Sequence, residues 1–235
     1  MIDHSKELDF VFRVDSSLEI GSGHLYRCLN IARELKTLKH EILFITKDLE
    51  GNFNHILDRE KIAYKYIHGN KIFDWNLDSK EIIKALSNYS FTKTSLIIDH
   101  YEIEYKWEVS VYDLFKQTIV INGLANRRHK CDILVDFNYS NIGQMKYHGL
   151  TDSETKIFVG PQNIIFDREY YKIKFKGIKK RNLINSVLVS FGGVDEKNQT
   201  RRILLLLKDI GKIEQVNIVC GMNNLNKSSI KALCN

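Results

Sequence analysis

The stretch FVFRVDSSLEIGSGHLYRCLNIAREL, residues 10–35, places an apolar run, a glycine-containing loop and a helical pattern in immediate succession. The run FVFRV is short and largely apolar on both faces, which is typical of a strand buried in a parallel sheet. After the loop, residues 24–38 repeat apolar side chains at the three- and four-residue spacing of one helix face. The stretch therefore predicts a strand, a loop and a helix, the repeating unit of an α/β fold.

The same alternation continues along the chain. Further apolar runs predict strands over 41–46, 95–99, 118–122, 132–136, 156–160, 186–190 and 215–220. Periodic patterns predict further helices over 52–60, 78–89, 102–115 and 200–210. Because parallel strands need a crossover between them, alternating strands and helices predict right-handed βαβ connections and a doubly wound parallel sheet.

A change in pattern over residues 168–185 divides the predicted elements into two groups. This stretch is basic and has no clear period. We predict a complete α/β domain over residues 1–177 and the start of a second α/β domain over 178–235. About fifty residues bury too little surface to close an independent α/β domain, so we expect the second domain to be incomplete.

The composition is that of a globular protein, with 235 residues, 43% hydrophobic and 27% charged. No apolar run is long enough to span a membrane and the first residues lack a signal-peptide pattern, so we expect a cytoplasmic protein. The four cysteines are scattered, which argues against a zinc site or a disulfide framework. The net charge of +6 is spread along the chain except for the run 172–181. We therefore expect no nucleic-acid partner, although a positive field favours a phosphate-bearing small molecule.

The first candidate site residues stand at the end of the first predicted strand, because ligands of open α/β sheets bind at the carboxyl ends of the strands. Arg13 and Asp15 end that strand. Gly21 and Gly23 then allow the backbone close to a ligand, and His24 opens the helix. A helix N-terminus here suits a phosphate or a sugar hydroxyl. From these residues alone, a catalytic histidine and a histidine that only caps the helix are equally open.

Later strand ends carry further candidates. Asp99 and Tyr101 follow the third predicted strand, where the carboxylate either orients an imidazole or a substrate hydroxyl or holds a neighbouring loop. Arg127 is either a ligand clamp or a solvated loop residue. Gly192 and Gly193 precede a helix of the second domain and suit a phosphate cradle. No dinucleotide-binding or Walker fingerprint matches these loops.

The motifs taken together resemble a known family. Five stretches carry the resemblance, namely FRVDSSLEIGSGHLYRCLNIARELK, IIDHYEI, NGLANRRHKCDILVDFNY, FVGPQNIIFDREYY and VLVSFGGVDEKNQT. Their order and approximate spacing are similar to those of the UDP-2,4-diacetamido-2,4,6-trideoxy-β-L-altropyranose hydrolases of pseudaminic acid biosynthesis. Spore-coat polysaccharide proteins share parts of the series. The resemblance implies a GT-B-like fold of two Rossmann-like domains, with a UDP-sugar bound in the cleft.

The resemblance also implies a reaction. Water attacks the anomeric carbon with inversion and UDP leaves, without a metal or another cofactor. His24 matches the family's catalytic histidine, and Tyr101 matches a tyrosine that lines the same pocket. The pair Gly192 and Gly193 matches the nucleotide-binding second domain. A neutral imidazole can accept the proton of the attacking water near neutral pH, which fits the role that the resemblance implies for His24.

Two departures from the family pattern leave other functions open. Asn122-Gly123 stands where relatives carry paired acids, so an acid role at this point is lost. The sequence ends at Asn235, before the part of the second domain where relatives bind much of the UDP, so we expect weak or no turnover by these residues alone. The alternatives are a non-catalytic UDP-sugar-binding remnant and a GT-B glycosyltransferase. The motifs fix neither the sugar nor the oligomeric state.

Overall fold

The computed structural model describes residues 6–68, 72–90, 92–173, 183–221 and 224–234. The chain divides into two compact units, residues 1–168 and 169–235. The change of unit falls at the start of the basic stretch that the sequence singles out. The predicted boundary between residues 177 and 178 lies outside the described residues.

A seven-stranded parallel sheet forms the centre of the first unit. The strands of this unit are β1 (Lys6–Glu7), β2 (Phe10–Val14), β3 (Ile42–Lys47), β4 (Ala63–Ile67), β5 (Tyr89–Ser90), β6 (Ser95–Asp99), β7 (Gln117–Ile121), β8 (Ile133–Asp136) and β9 (Lys156–Val159). The sheet has the spatial order β4-β3-β2-β6-β7-β8-β9, and β1 pairs separately with β5. The order reverses between β2 and β6, and ligands of doubly wound sheets bind beyond such a reversal.

Helices cover both faces of the sheet. They are α1 (Gly23–Thr37), α2 (His55–Arg59), α3 (Trp75–Ala85) and α4 (Tyr105–Val111), and α5 (Arg168–Ile173) begins where the unit ends. Successive residues of β2 enter different apolar clusters: Val11 packs in the cluster that contains Trp107, and Phe12 in the cluster that contains Leu25. The Phe12 ring stacks on that of Phe44 with centroids 4.5 Å apart. Both faces of the sheet are therefore buried, which explains the apolar runs of its strands.

The predicted α/β architecture with a parallel sheet is confirmed. The strand β4 was not predicted, because its sequence AYKYI lies at an edge of the sheet and mixes exposed and buried side chains. The helix α3 begins three residues before the predicted helix at 78–89. Asp74 explains this start, since its carboxylate accepts the backbone N–H groups of Asn76 at 2.9 Å and Leu77 at 3.0 Å.

The second unit contains one parallel βαβ unit, as the sequence predicts. Its elements are β10 (Ser186–Ser190), α6 (Gln199–Leu207), β11 (Gln215–Val219) and α7 (Lys227–Leu233). The strands β10 and β11 pair in parallel along their whole length, and Val189 and Leu204 are buried between sheet and helices. Within the ranges that the structure describes, no helix of either unit combines the length and apolar character needed to cross a bilayer.

Candidate active site

A cavity of about 520 Å³ opens at the carboxyl ends of β2, β3 and β6 in the first unit. Its lining includes Asp15 after β2, Lys47 at the end of β3, and Asp99 at the end of β6. Because the three strands are parallel neighbours, their last residues meet at one edge of the sheet. His24 and Tyr101, two residues that the sequence singles out, also line this cavity.

His24 and Asp99 form a hydrogen-bonded pair in the wall of the cavity. Nδ1 of His24 lies 2.5 Å from Oδ1 of Asp99, and both side chains are buried. A carboxylate oxygen only accepts, so the proton of the neutral imidazole is on Nδ1 and Nε2 carries the free lone pair. Nε2 has no hydrogen-bond partner among the described residues. The Tyr101 ring meets the imidazole edge-on, with centroids 4.3 Å apart. The structure thus brings together three of the predicted site residues and gives His24 the geometry of a general base.

Arg27 holds the same carboxylate from the other side. Its Nε and Nη2 atoms donate to Oδ2 and Oδ1 of Asp99, each at 2.6 Å, in a bidentate pair. Nη2 also lies 3.1 Å from Nδ1 of His24. Burial alone would raise the pKa of Asp99, but the hydrogen bonds and charges of His24 and Arg27 hold that pKa below its ordinary value. Asp99 is therefore an ionised hydrogen-bond acceptor at neutral pH.

Arg13 lies beneath the cavity and is not among its lining residues. The side chain is fully buried, and its guanidinium donates twice to Asp15, at 2.6 and 2.9 Å, and twice to Asp78, at 3.0 and 2.7 Å. Asp78 on α3 also accepts Nε1–H of Trp107 at 2.9 Å. We predicted that Arg13 binds substrate, whereas the contacts that the structure shows are with Asp15 and Asp78. Arg13 joins Asp15 to the helices of one face.

The carboxylate of Asp15 accepts hydrogen bonds from neighbouring residues of the first unit. Besides Arg13, it accepts the backbone N–H of Lys47 at 2.8 Å and Nε2–H of His100 at 3.0 Å. Burial would raise the pKa of Asp15, but Arg13 and His100 hold it well below its ordinary range. Nδ1 of His100 accepts the backbone N–H of Glu102 at 3.1 Å. Of the two histidines in the lining, His100 has both ring nitrogens engaged, whereas Nε2 of His24 has no partner in the part of the chain that the structure describes.

The two predicted glycines before His24 shape the loop between β2 and α1. Gly21 has a positive φ of 77°, which favours glycine, and its N–H donates to the carbonyl of Ser17 at 2.8 Å. Oγ of Ser17 accepts the N–H of Ile20 at 2.9 Å and closes the turn. Gly23 is the first residue of α1, and no atom lies within 4 Å of the position a Cβ would take. The turn directs α1 so that its first residues reach the cavity.

Arg127 contacts the loop that carries Tyr101. Its Nε donates to the carbonyl of Ile103 and its Nη2 to the carbonyl of His100, both at 3.0 Å. Arg127 is not among the lining residues of the cavity. The contacts of Arg127 therefore fix the loop over residues 100–103. They differ from a solvated loop residue, which was one of its two predicted roles.

Gly192 and Gly193 belong to the second unit, between β10 and α6. Gly192 has a positive φ of 73°. A Cβ on Gly221 would lie 2.0 Å from the carbonyl oxygen of Gly193, so the two backbones approach closely. The carboxylate of Asp195 accepts the N–H groups of Gln199 at 2.8 Å and Thr200 at 2.9 Å. Two of the N–H groups at the start of α6 are thus already satisfied by an acid, and the phosphate role of the glycine pair stays a prediction.

Asn122 and Gly123, the departures from the family pattern, lie outside the cavity lining. Nδ2 of Asn122 lies 2.5 Å from Nε2 of the buried His129, whose Nδ1 donates to Glu108 at 2.6 Å. A Cβ on Gly123 would lie 2.2 Å from Nδ2 of Asn138. The amide thus donates to the unprotonated Nε2 of His129, and the glycine leaves room for a neighbouring side chain.

The sequence did not single out several residues of the site. Arg27 follows His24 by one helical turn, and this spacing is the signal that could have found it. Lys47 ends a strand, so the rule that ligands bind at the carboxyl ends of strands could have identified it. Asp78 and Phe73 have no such signal, because they come from the start of α3 and the loop before it.

The cavity lining is acidic. Among the described residues that line it, Lys47 is the only lysine or arginine, against five carboxylates. Asp15 and Asp99 are neutralised by arginines, whereas Glu19, Glu50 and Glu102 are exposed. Nζ of Lys47 itself lies 3.2 Å from Asp78. The lining suits hydroxyl and amide groups, which donate hydrogen bonds to carboxylates, better than it suits a phosphate.

Sequence comparisons connect the chain to two longer proteins. An uncharacterized protein of Methanocaldococcus jannaschii is 29% identical over 231 residues, and the alignment covers 93% of this chain and 45% of that protein. The UDP-2,4-diacetamido-2,4,6-trideoxy-beta-L-altropyranose hydrolase of Campylobacter jejuni is 24% identical over 222 residues, with 94% of this chain and 72% of the hydrolase covered. This chain thus spans less than half the length of the first relative. No protein-family model matches the chain.

Solved structures show the fold class. MurG of Acinetobacter baumannii superposes with a TM-score of 0.55 at 11% identity, covering 96% of this chain and 62% of MurG. A glycosyltransferase from Rickettsia africae superposes with a TM-score of 0.50 at 15% identity, covering 93% and 69%. The predicted GT-B-like α/β fold is confirmed by these neighbours. The chain therefore has the fold of GT-B glycosyltransferases and a distant sequence relative that is a UDP-sugar hydrolase.

Proposed function

We propose that this chain carries the catalytic unit of a hydrolase that acts on UDP-2,4-diacetamido-2,4,6-trideoxy-β-L-altropyranose. The observation that carries the proposal is the pair of His24 and Asp99, in which Nδ1 donates to a buried carboxylate and Nε2 is free in the wall of a cavity. The distant similarity to the Campylobacter jejuni hydrolase supports the substrate class.

In the proposed reaction, Nε2 of His24 takes a proton from a water molecule as the water oxygen bonds to the anomeric carbon. The bond from that carbon to the diphosphate oxygen breaks, and its electron pair leaves with UDP. Attack opposite the leaving group inverts the anomeric configuration. Asp99 stabilises the imidazolium through Nδ1–H and keeps the ring oriented. Base assistance of this kind accelerates a reaction by roughly 10²–10⁴-fold.

The charge of the lining supports a sugar in the cavity. The exposed carboxylates Glu19, Glu50 and Glu102 accept hydrogen bonds from hydroxyl and acetamido N–H groups, and they repel a diphosphate. Because the water attacks opposite the leaving group, we place the leaving diphosphate on the side of the sugar away from Nε2 of His24 and away from these carboxylates.

The test is an assay of the purified chain with this UDP-sugar, following UDP release and recording the first-formed anomer by ¹H NMR. We expect slow release of UDP and the inverted free sugar, that is, weak turnover rather than none, the two outcomes that the sequence left open. His24→Ala should lower kcat by roughly 10²–10⁴-fold with a smaller effect on substrate binding. His55→Ala, an exposed histidine at the start of α2, is the matched control and should leave kcat unchanged.

The outcomes separate the alternatives. No UDP release, under conditions in which the Campylobacter jejuni hydrolase is active, would overturn the proposal. Binding of the UDP-sugar without release would favour the non-catalytic reading. Equal rates for His24→Ala and the parent chain would exclude His24 as the base.

A further inference from the structure

Arg27 lies one helical turn after His24 on α1 and reaches the carboxylate that holds the imidazole. We propose that Arg27 is a positioning residue that fixes the Asp99 carboxylate against Nδ1 of His24 and shares the charge of that carboxylate with the imidazole. Its consequence for turnover rests on the proposed function. Its effect on His24 itself does not.

The guanidinium of Arg27 fixes the orientation of the Asp99 carboxylate. Arg27 donates to both oxygens of Asp99, at 2.6 Å each, so the carboxylate cannot rotate without breaking two charge-assisted hydrogen bonds. Oδ1 then receives Nδ1 of His24 in a fixed direction. Because a guanidinium fork matches both oxygens at once, a residue with a single donor would leave the carboxylate free to turn.

Arg27 also acts on His24 through its charge. Nη2 of Arg27 lies 3.1 Å from Nδ1 of His24, so a second proton on the ring would place two cations side by side. Asp99 carries a single negative charge, and both His24 and Arg27 donate hydrogen bonds to it. If Arg27 were removed, the whole charge of Asp99 would stabilise an imidazolium, and His24 would hold its second proton to higher pH.

The surroundings allow this residue to be changed. The Arg27 side chain is about one-third exposed, with a relative accessibility of 32%, and its Cζ lies 5.5 Å from the ring centroid of Phe137. Water can therefore reach a shorter polar side chain at this position. Tyr101 beside the imidazole and Cys28, whose Sγ lies 3.8 Å from Oδ2 of Asp99, are unchanged in every variant. So are the other titratable residues that line the cavity with His24: Asp15, Glu19, Lys47, Glu50, His100 and Glu102.

Arg33 provides a matched control on the same helix. It also makes two short contacts with acids, Glu60 and Asp167, each at 2.6 Å, and its side chain is 33% exposed. It lies away from the cavity lining. Arg33→Gln therefore removes a comparable pair of interactions without changing the charge beside His24.

The test is an NMR titration of the His24 Hε1 resonance, assigned by its absence from His24→Ala. In Arg27→Gln we expect the midpoint of the His24 titration to move up by about one pH unit. In Arg33→Gln we expect no movement. If Arg27→Gln does not fold, Arg27→Met, which keeps the packing of the methylene stem, is titrated in its place. Equal midpoints in the parent chain and the Arg27 variant, or equal shifts in the two Gln variants, would overturn the inference.

A kinetic measurement separates this inference from the proposed function. If the parent chain hydrolyses the UDP-sugar, the acidic limb of the pH–rate profile of Arg27→Gln should move up with the titration, and raising the pH should restore the rate. If the parent chain does not hydrolyse it, the proposed function fails while the NMR result still decides the role of Arg27.

Discussion

His24 and Asp99 are 75 residues apart in the chain and meet through one hydrogen bond between Nδ1 and Oδ1. His24 is the second residue of α1 and Asp99 is the last residue of β6, and both elements pack beside β2. The sheet topology, rather than any local motif, creates the pair. The orientation of the imidazole is thus a property of the fold.

Replacing the carboxylate should disable the base. In Asp99→Asn the amide oxygen stays on Arg27, so its NH₂ group faces Nδ1 of His24 and places the ring proton on Nε2. We expect kcat for UDP release to fall by roughly 10²–10⁴-fold, with little change in KM. Asp152→Asn, which alters an acid paired with Arg128 and Lys130 outside the cavity lining, is the control. Equal losses of kcat in the two variants would contradict this expectation.

Removing one acid beneath the cavity should destabilise the first unit. Asp78→Asn leaves the buried guanidinium of Arg13 with one charged partner instead of two. We expect the free energy of unfolding, measured by urea denaturation and far-UV circular dichroism, to fall by about 3–5 kcal/mol. Glu34→Gln, which breaks the exposed pair with Arg168, should have a much smaller effect because water and salt screen that pair. A loss no larger than that of the control would show that Asp78 is not required.

Stability should fall in acid. The lowered pKa values of Asp15 and Asp99 mean that the unfolded chain binds these protons more readily than the folded one. Their contribution is therefore complete above the ordinary aspartate range, near pH 4, and is lost as the pH falls from there through the lowered values. The measurement is the free energy of unfolding by urea at pH 6, 5, 4 and 3. A profile that is flat down to pH 3 would argue against these shifts.

A glycine in the second unit should be intolerant of a side chain. Gly221→Ala would place a Cβ 2.0 Å from the backbone oxygen of Gly193, so one of the two segments must move. We expect a loss of about 1–3 kcal/mol, seen as faster amide hydrogen exchange in β11 and α6. Gly211→Ala is the control, since no atom lies within 4 Å of its Cβ position. Slow exchange in both variants would disprove the close approach.

The sequence predicted most of the strands and helices and the sheet edge at which the candidate residues lie, but few of the contacts between their side chains. The buried strand at 95–99 was predicted to the residue, because both of its faces are apolar and turn residues bound it. The edge strand β4 lacks that pattern and was missed. His24 and Asp99 were placed at one sheet edge by the strand-end rule.

Strand ends and periodicity do not predict which side chains from distant elements will contact one another. Arg13 and Asp78 are 65 residues apart, and no periodicity relates a strand residue to an acid on a distant helix. Arg13 was predicted to contact a ligand, and Arg127 was predicted to be either a ligand clamp or a solvated loop residue. In the structure the first is taken up by two carboxylates and the second by two backbone carbonyls.

The bidentate contact of Arg27 with Asp99 has a consequence for the timing of the reaction proposed above. Both residues, and His24 with them, come from the first unit, so their contacts are in place before any substrate arrives. In that reaction, a base held in this way avoids the reorganisation that an unconstrained base undergoes at each turnover. Residues elsewhere in the chain can then change which substrate is recognised without altering these three side chains.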